Sequence, residues 1–595
     1  MKDTLGLKLF SFAVISDTHI NPDEEDCNSP FPVNKRANRR FRYVVQDVNK
    51  RYVDFVVHLG DLLHPVPESG QPYHQAAEKY RQIVQDLKAP IYVLPGNHDI
   101  GDTPIKGGPA SPTTQAMIDT WQGEFGVDYQ SFSKGGIQLI LLNAQLINSG
   151  LDAEQTQKTW FEKQLSTITD ERVFLFLHHP AYLAFPDEQN HYDNTNQPGR
   201  SWLLDLLKKY QIEAMFSGHA HNFWYNRYCQ TDYYLAPSTS FVRQDYSEML
   251  RTPPPKESEL GRNDAAKLGY FIVTVHEQGH TTKFVRTYGA ELNIAEELNN
   301  QSTSLSADPR EGKPSLIGFD LRQNWAEVTE IPPSGGLDEF DRKLVRNDYH
   351  LLALQEMGVR NVRVPLRDLL DDTKCERLQL LRHLGFDITV FSFDIPEENT
   401  LAQIERYVNI FKDWEITFDW PDMDQRWDQL QALSKRTSLP IYISRMRTKD
   451  DVKVDGTYFH VINHGFSASD INQLKTLKNH GIAGAVFRLG HSENVGQTME
   501  AIHSSIKTVG IKASVHIRLA DDNPALGKYD ETWACQRVSV AMQAVRNTND
   551  LRLFCDTLVD VDRGYFARFG AIDRNCNPRK LLDVIKEETC RRPVD

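Results

Sequence analysis

FAVISDTH, residues 12–19, decides how this chain is read. An apolar run stops abruptly at Ser-Asp-Thr-His, as expected of a buried strand that delivers a carboxylate and an imidazole to the loop at its end. Four later segments repeat the pattern: FVVHLGDLLH (55–64), IYVLPGNHD (91–99), VFLFLHHP (173–180) and AMFSGHAH (214–221). A lone buried histidine is more often a hydrogen-bonded core residue, so each segment alone is a weak signal. Five such strand ends in one half of the chain predict a single site at one edge of a sheet, where α/β proteins collect ligands. The carboxylate, imidazole and amide donors suit borderline divalent metals. Glycines before Asp61, Asn97 and His219 are expected to turn the backbone tightly out of the strands.

Helical stretches lie between these strands. Over residues 38–51 the apolar side chains Phe41, Val44, Val45 and Val48 recur at helical spacing, and similar patterns occur at 73–87, 155–165 and 202–210. YFIVTV (270–275) and TTKFVRTY (281–288) flank EQGH and predict a closing hairpin. Residues 289–313 are polar and read as a linker. From 314 to 595 strand and helix patterns alternate eight or nine times, which predicts a (β/α)8 barrel; a doubly wound sheet is the alternative. The short connection from Met446 to the candidate strand YFHVINH (458–464) leaves the strand count open.

The chain has 595 residues and a net charge of −14, with 40% hydrophobic and 25% charged residues. This composition excludes a disordered or collagen-like chain and predicts a soluble protein of several domains. Net acidity gives no overall steering toward nucleic acid, so no nucleic-acid partner is expected. No run approaches the roughly 20 apolar residues of a membrane span, and Asp3 within MKDTLGLKLF makes a poor signal peptide. Seven scattered cysteines suggest free thiols in a reducing compartment. The expectation is a cytoplasmic protein without a membrane partner.

The order DTH, GD, GNHD, H, GHAH over residues 10–288 resembles the calcineurin-like metallophosphoesterases, which implies a four-layer α/β/β/α sandwich. Carried over residue by residue, the resemblance implies that Asp17, His19, Asp61 and His221 hold one metal ion. Asp61, Asn97, His178 and His219 would hold a second, with Asp61 bridging and His179 a neighbour of the site. The cofactors expected are two divalent or mixed-valence ions of manganese, iron or zinc. Such a pair lowers the pKa of bound water for in-line attack at phosphorus and neutralises phosphoryl oxygens. The catalytic residues expected are His98, facing the leaving group as general acid, and Asp99, which either orients His98 or caps a turn. Where purple acid phosphatases carry tyrosine after GD, this chain has His64, and its short motifs look more like the cyclic-nucleotide and glycerophosphodiester phosphodiesterase branch. The substrate expected is a small phosphate diester, with monoesters as the alternative.

Asn34, Lys35, Arg36, Arg39 and Arg40 after DTH are candidates for holding a phosphate oxygen or a substrate carboxylate, although a solvated helix start is the favoured reading for most of them, and His191–Asn194 are candidates for a rim or lid. Phe223, Trp224 and Tyr225 read as an aromatic core strand. The tail over 570–585 weakly resembles the last barrel segment of some glycoside hydrolases. Such enzymes need paired carboxylates, and the barrel offers only Asp419, Asp422 and Glu493, with His464, Arg488 and His516 also at strand ends. The expected barrel is therefore catalytically silent and a candidate surface for self-association, the alternative being a carbohydrate-active or carbohydrate-binding barrel.

Overall fold

The computed structural model describes residues 5–24, 27–104, 111–169, 171–250, 252–298, 310, 315–321, 325–331, 342–447, 463–521, 530–560 and 569–591. The chain divides into two compact units, Leu5–Ser304 with Val328–Tyr349, and Leu305–Glu327 with His350–Asp595.

In the first unit, Lys8–Ile15 is the middle strand of a five-stranded sheet. Phe55–His58 and Ile91–Val93 run parallel on one side; the antiparallel hairpin Gly269–His276 and Gly279–Arg286 lies on the other. A six-stranded sheet has the order Gln130–Lys134, Ile137–Leu141, Arg172–Leu177, Ile212–Ser217, Thr231–Leu235, Trp224–Tyr228. The sheets meet through Phe12, stacked on Phe55 at 4.8 Å and edge-on to Phe174, Phe176 and Phe216 at 5.9–6.4 Å. His58 points to the opposite face from Phe55, as strand alternation requires, and there meets Phe41 of helix Ala37–Asn49. Helix Asp152–Thr167 makes the crossover between two parallel strands of the second sheet. The result is the four-layer sandwich, and the strands are continuous apolar runs because both of their faces are covered.

The second unit is a closed barrel of eight parallel strands: Gly318–Asp320, Asn361–Pro365, Asp387–Phe393, Phe411–Phe418, Ile441–Arg445, Gly484–Leu489, Lys512–Ile517 and Leu551–Cys555. The ninth candidate, 458–464, lies mostly outside the described residues, and the barrel closes without it.

The division differs from the boundary read at 288. Residues 289–298 run along helix Ala37–Asn49: Leu292 N–H donates to Arg39 O (3.0 Å), and Gln46 Nε2 donates to Glu296 O (2.9 Å). The strands Val328–Ile331 and Lys343–Arg346 pair as an antiparallel hairpin that belongs to the first unit, although it follows the first barrel strand in sequence. It docks beside the edge strand Trp224–Tyr228. There Trp224 Nε1 donates to Arg346 O (2.6 Å), Arg346 Nη2 to Asn226 Oδ1 (2.7 Å), and Tyr225 N–H to Asp348 Oδ2 (3.0 Å). Polar residues with this many specific partners carry no periodic apolar signal, so the reading of 314–595 as barrel alone did not separate them.

Candidate metal centre

The five motif loops follow parallel strands of both sheets and are tied together by main chain. Asp17 N–H donates to Gly60 O (3.2 Å), His19 N–H to Asp61 O (3.0 Å), and Gly218 N–H to His178 O (2.9 Å). Asp17, His19, Asp61, His219 and His221 all adopt left-handed backbone, with φ between 47° and 66°. Each costs on the order of 1–3 kcal/mol outside glycine and persists only where surroundings over-determine it. Of the three glycines expected to turn the chain, only Gly60 has positive φ, at 98°. Gly96 and Gly218 are needed for close approach instead: a Cβ on Gly218 would strike Ser16 Oγ and lie 2.9 Å from Asp17 Oδ2.

All seven expected ligands converge. One ligand atom from each of Asp17, His19, Asp61 and His221 lies within 4.8 Å of the others, and all four residues are buried. His221 Nδ1 lies 2.8 Å from Phe241 O, and His178 Nδ1 lies 2.8 Å from Leu59 O. Donation to these carbonyls leaves each Nε2 as a lone pair. His221 Nε2 then faces His19 Nε2 (3.1 Å) and Asp17 Oδ1 (3.2 Å). His178 Nε2 faces Asn97 Oδ1 (3.1 Å) and Asp61 Oδ1 (3.4 Å). His219 Nδ1 is 3.0 Å from the same Asn97 oxygen, with its Nε2 3.3 Å from Tyr192 O. Asn97 Nδ2 donates to Tyr192 Oη (3.2 Å), which turns the amide oxygen inward. Nitrogen and oxygen donor atoms thus crowd one buried space, and Asp17 Oδ1 and His19 Nδ1 have no hydrogen-bond partner among the described residues. A buried array of this kind favours positive charge between its members, and the donor set fits divalent transition metals.

The electrostatics agree. Burial pushes the Asp61 carboxyl up, but the surrounding histidines, His178 foremost, hold it well below the usual carboxylate range. Burial pushes His178 down, yet Asp61 and Asp17 draw it up to about 9. His19 and His219 are pushed well below the ordinary imidazole value, by burial first and then by neighbouring imidazoles. The pocket therefore favours an anionic Asp61 and neutral His19 and His219, the form in which these groups ligate a metal, while His178 carries a proton drawn to the Asp61 and Asp17 carboxylates that a metal ion would displace.

His98 sits at the mouth. Its Nδ1 lies 2.9 Å from His64 O, its ring is edge-on to His19 at 4.7 Å, and its backbone N–H donates to Asp61 Oδ1 (2.9 Å). Asp99 does not orient it. Both Asp99 oxygens accept backbone N–H groups, from Gly96 (2.8 Å), Leu62 (3.1 Å) and Leu63 (3.1 Å), which staples the GD loop to the GNHD loop. Burial and the nearby Asp61 push the Asp99 carboxyl up to about 7 against those bonds. Asp99 is thus the turn cap of the two expectations, because a carboxylate between two converging loops meets amides before it meets a side chain. His179 stacks on His219 at 3.7 Å, as a neighbour of the site.

The basic cluster is occupied elsewhere. Arg39 and Arg36 pair with Glu291 at 2.7 and 3.4 Å, and Arg40 donates to Ser240 O, Gly289 O and Asn263 Oδ1. Phe223, Trp224 and Tyr225 are buried, as a core strand should be. In the barrel, Asp419, Asp422 and Glu493 are exposed, Arg488 is buried, and His464 Nδ1 lies 2.8 Å from Ser444 Oγ. His516 Nε2 is 3.2 Å from Glu415, a carboxylate the motif reading passed over. Glu415 also accepts from Arg363 (2.5 Å), Ser514 (2.6 Å) and Arg552 (2.9 Å), so burial's upward push is overcome and the carboxyl stays well below its usual range. A carboxylate so heavily paired cannot serve as a general acid. Arg243 and Lys343, behind His219, were missed, and Tyr192 and Asp193, marked as part of a rim, stand behind His219 instead.

A family model described as calcineurin-like phosphoesterase matches residues 10–223, and this part of the chain is a calcineurin-like phosphoesterase domain. A Danio rerio protein described as serine/threonine-protein phosphatase CPPED1 is 32% identical over 197 residues, 30% of this chain and 58% of that protein. A "Probable glycerophosphodiester phosphodiesterase GpdQ" from Arcobacter nitrofigilis is 26% identical over 228 residues, 35% of this chain and 70% of that protein. A "Probable cyclic nucleotide phosphodiesterase" from a Pseudoalteromonas strain is 26% identical over 234 residues, 38% of this chain and 77% of that protein. The chain spans little more than half the length of the phosphatase-named relatives. Among the described residues no helix is long and apolar enough to cross a membrane.

Proposed function

We propose that the first unit is a two-metal phosphoric ester hydrolase acting on phosphodiesters. The observation that carries this is the convergence of donor atoms from Asp17, His19, Asp61, Asn97, His178, His219 and His221, with main-chain carbonyls beside the other ring nitrogen of His178, His219 and His221. Asp61 is the shared ligand in this reading, its Oδ2 3.5 Å from His19 and its Oδ1 3.4 Å from His178. Metal ions bound there would supply an activated water and neutralise phosphoryl charge. His98, tethered through Nδ1 to His64 O, keeps Nε2 available to protonate the leaving oxygen. The backbone N–H of His98 holds Asp61 at the same time, so leaving-group acid and shared carboxylate are positioned by one residue.

The test is turnover of bis(p-nitrophenyl) phosphate against p-nitrophenyl phosphate by protein stripped with a chelator and reconstituted with manganese, iron or zinc. Metal-dependent turnover with the diester preferred supports the proposal. Preference for the monoester would support phosphomonoesterase action, a second reading favoured by the phosphatase description of the relatives at 32–33% identity. Absence of metal-dependent turnover on either ester would refute both.

A further inference from the structure

The hairpin strand Lys343–Arg346 brings a cation to the back of the centre. Lys343 Nζ, on a side chain 1% exposed, lies 2.6 Å from Asp193 Oδ2 and 2.9 Å from Asp245 Oδ2. Arg243 pairs with the same two carboxylates. Two cations and two anions thus form a charge-balanced buried quartet. Asp193 Oδ1 lies 3.5 Å from His219 Nε2, the nitrogen that also faces Tyr192 O. Residues 192 and 193 therefore set both the tautomer and the direction of His219, and Tyr192 Oη sets the amide of Asn97.

We infer that Lys343 is a positioning residue for the half of the centre built from Asn97, His178 and His219. This rests on the two-metal reading above. The ammonium pins Asp193 and cancels its charge, so the carboxylate orients the imidazole without drawing it away from the centre. Carboxylates and carbonyls behind a ligating histidine fix its ring, and their loss typically lowers metal affinity about 10–100-fold. Removing one partner from a buried charged group leaves the other uncompensated. Without Lys343, Arg243 alone would face two carboxylates, and Asp193 Oδ1, 3.5 Å from His219 Nε2, would be left undercompensated beside the imidazole. The half built from Asp17, His19 and His221 meets His219 through the main chain, the His219 N–H donating to Asp17 Oδ2 (3.2 Å), and not through the imidazole that Asp193 faces.

The full chain, stripped of metal, is titrated calorimetrically with Mn²⁺, and the metal retained after gel filtration is counted. Wild type is expected to bind two ions per chain. Lys343→Met is expected to weaken one of them at least tenfold and leave the other unchanged. The double variant Lys343→Met/Asp245→Asn restores charge balance around Asp193 and is expected to recover the weakened ion. If Lys343→Met does not fold, Asp193→Asn is read in its place, with the same single ion weakened. Unchanged affinity for both ions, or equal loss of both, overturns the positioning role. Fewer than two ions in wild type would instead overturn the two-metal reading on which it rests.

Discussion

Replacing Gly96 by alanine tests the centre with a single methyl group. The backbone at Gly96 has φ −104° and ψ −174°, which alanine adopts freely, so any effect is steric rather than conformational. A Cβ there would lie 2.8 Å from His178 Cε1 and closer still to Asp61 Oδ1 and the Asp61 backbone nitrogen. Restoring ordinary contact requires the Asp61 carboxylate to move by roughly 1 Å or more. Overpacking of this kind costs about 1–3 kcal/mol of stability. A 1 Å misplacement of a reacting or metal-holding group costs on the order of 10²-fold in rate. Gly96→Ala should therefore fold, melt a few degrees lower, and lose about two orders of magnitude in kcat on its best ester, with lowered metal content by elemental analysis. Gly123→Ala is the control. Gly123 lies in helix Gln115–Phe125 with open space at its Cβ, so alanine should leave activity alone and stabilise by up to about 1 kcal/mol. Wild-type turnover and metal content in Gly96→Ala would refute the argument that Asp61 is held against this loop.

Three further outcomes are expected. His98→Asn should retain the wild-type metal content while kcat falls about 10²–10⁴-fold, the range for loss of a general acid; loss of metal would show His98 to be a ligand. Phe12→Ala, at a fully buried position between the sheets, should destabilise the first unit by about 3–5 kcal/mol in chemical denaturation. Glu213 is pushed up by burial but held down to about 2 by hydrogen bonds from Arg172 and His280. Because its folded pKa is depressed, its contribution is complete above the ordinary glutamate value and disappears as pH falls through about 2. Glu213→Gln should therefore remove up to about 3 kcal/mol at neutral pH, and a pH series should show that difference shrinking below about pH 4.5.

The candidate metal centre was legible because its residues sit where strands end. An apolar run followed by Asp-Thr-His or Gly-Asn-His-Asp places a side chain at a sheet edge before any contact is known. The closed barrel was legible for a similar reason, since strand and helix periods alternate through residues 316–590. Asp99 was ambiguous because a carboxylate after a strand suits both a turn and a histidine, and only the convergence of amides from residues 62, 63 and 96 decides between them. Arg36 and Arg39 left an anion site open beside the favoured solvated helix start because their partner Glu291 lies some 250 positions away in sequence. Lys343 was illegible for the same reason: its partners, Asp193 and Asp245, are separated from it by 150 and 98 positions.

The hairpin at 328–346 also bears on how the protein is made. A ribosome that has released residues 5–304 has delivered both sheets and every expected ligand, yet one of the two cations that balance Asp193 and Asp245 has not been translated. The first unit reaches its final form only after synthesis has passed through the first strand of the barrel. A gene fragment ending at 304, or a graft that exchanges everything beyond it for another protein, would therefore encode the phosphoesterase without one of its own pieces.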